Sequence, residues 1–135
     1  MGCDIHMVVE RRKTGETWAD WVGFIATDYH PGARLPVARR DYDFFAEVAS
    51  VRGTTRNHKN YPRNLPEDVS RLAWQQYMRA PLDYHSVSHM PLTEFCEIYG
   101  KINPEKYRPE HAAYDLFGVH GDEGFDYRVV FWFDN

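Results

Sequence analysis

The chain opens with an aspartate and a histidine two residues apart, Asp4 and His6. On an extended backbone such residues face the same side, so a carboxylate and an imidazole would sit about 6–7 Å apart before one volume. That pairing suits a metal site or a general base oriented by its neighbour, and equally a strand-end histidine bonded to backbone or solvent. A second group, Asp83-x-His85-Ser86-x-Ser88-His89, lies just ahead of a helix that Pro91 would open. Its hydroxyls would either cap that helix or join the free N–H groups and the positive end of the dipole in a phosphate cradle. A third set mixes arginine with aromatic residues: Arg39, Arg40, Tyr42, Arg52 and Arg63. Guanidinium forks pair bidentately with phosphate and tyrosine rings stack on bases, although the same arginines can simply pair with Asp41, Asp43 and the acidic second half.

The elements that must position these groups follow from periodicity. Residues 4–25 alternate on both sides of a Thr14-Gly15-Glu16 turn and read as a β-hairpin, with Ile5, Met7 and Val9 on one face and Asp4, His6 and Val8 on the other. Asp41 would cap a helix over 41–51, Pro66 would open one over 67–79, and Pro91 one over 91–101. Residues 83–89 read as a polar connector and 53–66 as a long basic loop. Asp126 to Asp134 is apolar on both faces, which predicts a central strand. The expected architecture is α+β, one domain over 1–135: an antiparallel sheet made of the N-terminal hairpin and a central C-terminal strand, with about three helices on one face.

Composition narrows the classes. With 16 Lys+Arg against 20 Asp+Glu the net charge is −4, unsuited to a general binder of long nucleic acid. The charge is uneven: residues 1–67 hold 10 basic and 9 acidic side chains, residues 68–135 hold 6 and 11. One positive and one negative side would suit a polarised binding surface or self-association, or be two solvated faces. No apolar run approaches the ~20 residues that span a bilayer, no leader peptide is apparent, and Cys3 and Cys96 read as reduced thiols, so a cytoplasmic setting is expected. Aromatic residues reach 16%; Phe44, Phe45, Phe95, Tyr99, Phe131 and Phe133 fall on apolar faces, while Tyr42, Tyr61, Tyr84 and Trp132 sit beside Arg, His or Ser. No GxGxxG, P-loop, HExxH or GxSxG motif is present.

Five segments together resemble one group of small bacteriophage and prophage proteins. They are Met1-Gly2-Cys3-Asp4-Ile5-His6; Arg40-x-Tyr42-x-x-Phe45-Ala46 with Val51-Arg52; Pro62-Arg63-x-Leu65-Pro66-x-Asp68; Asp83-x-His85-Ser86-x-Ser88; and Tyr127-Arg128-x-x-Phe131-Trp132-Phe133-Asp134-Asn135. The chain departs from the group at His89, where many relatives carry Trp. The resemblance implies a phage accessory protein acting in the cytoplasm of an infected bacterium against host defence, and such factors recurrently bind a nucleotide second messenger.

The leading expectation is therefore a homo-oligomeric protein that sequesters a small signalling nucleotide without a cofactor. Arg40, Arg52 and Arg63 would contact phosphates, with Ser86, Ser88 and their helix N-terminus completing the anion site. Tyr42 or Trp132 would stack on the base, and His6 and His85 would bond sugar or phosphate. The alternative is a metal-dependent phosphoesterase or nuclease with Asp4, His6, His85 and Asp134 as ligands to Mn²⁺ or Zn²⁺, the last strand bringing Asp134 beside Asp4. A third possibility is direct binding and inhibition of a host defence protein through exposed aromatics and the charged sides.

Overall fold

A strand with apolar residues on both sides has no solvent face, and it is stable only with neighbours on both edges and cover above and below. In a computed structural model of the chain, which describes residues 2–26, 41–52, 60–105 and 124–134, the C-terminal strand meets that condition. The elements in order are β1 (Asp4–Lys13), β2 (Ala19–Ala26), α1 (Tyr42–Ala49), α2 (Arg71–Tyr77), β3 (Tyr84–Pro91), α3 (Leu92–Ile102) and β4 (Phe125–Asp134). The strands form one antiparallel sheet in the order β2-β1-β4-β3. The fold is α+β as expected, with the N-terminal hairpin at one side and β4 in the interior.

The two faces carry different cores. Ile5, Met7 and Val9 of β1 join Val129, Phe131 and Phe133 of β4 beneath Phe44, Phe45 and Val48 of α1 and Phe95 and Tyr99 of α3. On the reverse, Val8, Val130 and Trp132 pack with Ala73 of α2. The helices thus divide between the faces, two and one, rather than gathering on one side. The cause is the pattern that made β4 central: Val130 and Trp132 are as apolar as Phe131 and Phe133, and both faces need a lid.

Local signals explain most element ends. Asp41 caps α1 by accepting from the Phe44 N–H at 3.1 Å. Helix α2 starts later than Pro66 predicts, because Ser70 is its cap, and Pro66 instead accepts a turn bond from the Val69 N–H. The main departure is β3, which occupies the expected polar connector. Its polar residues are satisfied laterally: the Ser88 hydroxyl accepts from the Arg63 N–H, the Val87 carbonyl accepts from the Asn64 N–H, and the His89 ring bonds the Asn64 carbonyl. Residues 63–64 thereby cover an edge that would otherwise offer bare backbone groups.

One charged group lies wholly inside. Glu10 is 0% exposed and Arg128 7%. The Arg128 guanidinium donates through Nε to Glu10 and through Nη1 and Nη2 to the side chain and carbonyl of Asp68, at 2.8 and 3.1 Å. The second Glu10 oxygen accepts the Ser70 N–H at the head of α2. Trp18 lies against both Arg12 and Arg128, whose guanidinium carbons lie 4.4 and 4.3 Å from its ring.

Two variants should separate these contacts. Glu10→Ala leaves Arg128 buried without its main partner and should cost roughly 3–5 kcal/mol in urea denaturation. Asp68→Asn acts on a carboxylate that is 61% exposed and should cost about 1 kcal/mol or less. The Arg128 hydrogen bond holds the Asp68 carboxyl below the ordinary aspartate range. Its contribution is therefore present above that range and lost as pH falls through the lowered value, a loss the Asn variant should not show.

Candidate functional site

Five of the candidate residues, Asp4, His6, His85, Trp132 and Asp134, lie at the end of the sheet where β1 begins and β4 finishes, but the sheet divides them. On the face covered by α2, Asp4 and Tyr84 both stand opposite Asp134, and His6 stands opposite Trp132. Asp134 is thus beside Asp4, as terminal pairing predicts. Carboxylates facing each other across a strand pair repel. His6 offsets this by bonding the Asp134 Oδ2 through Nε2. The His6 ring, 8% exposed, lies 5.3 Å from Tyr84 and 6.3 Å from Trp132.

Trp132 itself is 0% exposed, with Tyr77 at 5.5 Å and Tyr84 at 5.8 Å. It is a core residue of the α2 face, and stacking on a ligand passes to other rings. The residue is central on a central strand, which explains its burial.

His85 is on the other face. It pairs with Phe133 in the register and stacks on that ring at 6.1 Å. The four side chains of the expected metal centre are therefore separated by the sheet, His85 from Asp4, His6 and Asp134. Among the described residues no group of three or more His, Cys, Asp or Glu is placed to hold a metal ion.

The His85 face continues as a row of rings toward α1. Phe133 meets Phe45 at 5.1 Å, Phe45 meets Tyr42 at 5.7 Å, and the Tyr42 hydroxyl accepts the Cys3 N–H at 3.1 Å. Arg52, just beyond α1, has a left-handed backbone at φ 58–60° together with Ser50, the α1 cap. Its guanidinium carbon lies 5.9 Å from the Tyr42 ring, and the exposed side chain forms no ion pair among the described residues. Arg52 with Tyr42 is the part of the arginine–aromatic set that comes together.

The remaining members have other tasks or positions. Arg63 grips Glu94 with both guanidinium nitrogens and also reaches Asn60. That bond lowers the Glu94 carboxyl below its usual range and raises the Arg63 guanidinium. Ser88 is 0% exposed and bonded to the Arg63 N–H, so it is unavailable as the lip of a phosphate cradle. Helix α3 has Pro91 as its cap residue and no side-chain cap bond; Ser86 and Ser88 belong to β3 instead. Ser86 pairs with its neighbour, its Oγ 3.0 Å from His85 Nδ1. Arg40 lies outside the described residues.

The Glu10–Arg128–Asp68 group and the Glu94 partner of Arg63 escaped the sequence reading. Glu10 had a signal: it continues the Asp4, His6, Val8 face, and terminal pairing sets it across from Arg128. Glu94 had none, since it meets Arg63 only through tertiary packing. Comparison with family models, with curated proteins and with solved structures returns no match.

Both thiols are buried and free of disulfide. Burial, followed by the charge of Glu97, pushes the Cys96 thiol up to about 12. Iodoacetamide at pH 8 should leave Cys96 unmodified in the native protein and alkylate it in urea, as read by mass spectrometry.

Proposed function

We propose that this chain is a phage accessory protein that binds and sequesters a small signalling nucleotide at the sheet end formed by Tyr42, Arg52 and His85. One observation carries the proposal: Arg52 is exposed, held over Tyr42, and has no carboxylate partner among the described residues. An arginine in that state has its fork available for a phosphate, and a ring beneath it limits the rotamers it must give up on binding. By contrast Arg63 already spends its fork on Glu94. The ring row from Tyr42 through Phe45 and Phe133 to His85 offers an imidazole on the same face for sugar or phosphate oxygens. The described residues include no helix long and apolar enough to cross a membrane. Self-association belongs to the same proposal and is read by light scattering on the same samples.

Titration calorimetry against cyclic dinucleotides and ADP-ribose derivatives tests this. One member should bind, and Arg52→Ala should weaken it by about tenfold or more, the loss of a charge-assisted bond of about 1.5–3 kcal/mol. Arg63→Ala should leave the affinity within about threefold, its fork being occupied. Absence of heat across the panel with folded protein would sink the proposal.

A further inference from the structure

Side chains of consecutive strand residues point to opposite faces, so a histidine and the serine after it do not meet in a regular strand. In β3 they do. The register with β4 skips between His85 and Ser88, and Ser86 in that bulge has a φ of 55°, in the left-handed region that non-glycine residues rarely occupy. The bulge re-aims the hydroxyl so that Ser86 Oγ lies 3.0 Å from His85 Nδ1. Both side chains are part-exposed, unlike the buried Ser88 two residues on.

We propose that Ser86 is a nucleophile activated by His85 and directed at the acyl carbon of a carboxylic ester. This goes beyond nucleotide binding: His85 is common to both sites, but neither Arg52 nor Tyr42 enters the ester chemistry and Ser86 takes no part in the nucleotide site. With the ring proton on Nε2, Nδ1 accepts the serine proton while Oγ bonds to the acyl carbon. The ester C–O bond then breaks and the leaving alcohol takes the proton from Nδ1. Water, deprotonated in turn by Nδ1, cleaves the acyl–Oγ bond, releasing the acid and returning the proton to Ser86. Phe133 beneath the imidazole fixes the ring plane that this transfer needs. The strain at Ser86 is then the means by which a hydroxyl is turned out of the pleat toward its base.

A fluorophosphonate probe on the whole chain tests the pair, with adducts mapped by mass spectrometry. The expected result is an adduct on Ser86 that is absent in Ser86→Ala and forms ~100-fold more slowly in His85→Ala. His85→Phe, which keeps a ring on Phe133, serves if the alanine variant fails to fold, and should be equally slow. Ser86→Gly suits the left-handed backbone, so it should melt at an unchanged or higher temperature while losing the adduct. Labelling of Ser86 no faster than of exposed Thr14, or labelling that persists without the His85 imidazole, overturns the proposal.

Discussion

The pairing of β1 with β4, Asp4 opposite Asp134 through to Lys13 opposite Phe125, decides which side chains of this protein can meet. Because strand side chains repeat with a period of two, a slip of one residue would move every member of both strands to the other face. The register therefore fixes two things together. It sets His6 against Trp132 and within bonding distance of Asp134, and it sends Phe133, with His85 above it, to the reverse side.

Apolar patterning cannot enforce that register by itself. Val129 to Phe133 are all buried, so a slipped β4 would still bury hydrophobic surface on both faces. Glu10 and Arg128 supply what the apolar residues do not. They are cross-strand partners in the observed register, and a slip would leave a carboxylate and a guanidinium inside without each other. Breaking such a pair costs about 3–5 kcal/mol, more than a shift among similar apolar side chains. Through Ser70 the same carboxylate fixes the start of α2, and so the lid over Trp132. The ion pair thus selects one arrangement among several that hydrophobic burial would accept.

Legibility in the sequence followed the same division. The hairpin, the central position of β4, the Asp41 cap of α1 and the adjacency of Asp4 to Asp134 all rest on local pattern or on the pairing of two long strands, and all were readable. Strand β3 was not, because its histidines and serines look like a connector until residues 63–64 lie along them. The site was readable as residue types and not as sides. Placing His85 away from His6 needs the count of residues through a bulge, and withdrawing Arg63 needs a contact to Glu94 across 31 positions of chain.

Backbone strain links the two levels. The described non-glycine residues with positive φ are Ser50, Arg52, Asn64 and Ser86. Each departure from the preferred region costs about 1–2 kcal/mol, so each needs an offset. Ser50 gains cap bonds from its N–H to α1 carbonyls and a hydroxyl bond to Asn60. Asn64 gains the bonds that seal β3. For Arg52 and Ser86 the offsets among the described residues are weaker: a guanidinium over a ring and a hydroxyl on a neighbouring imidazole. These are also two of the residues whose types suggest chemistry. Strain of this kind clusters where a side chain serves a function, and for that reason Arg52 and Ser86 are the residues on which the two proposals rest.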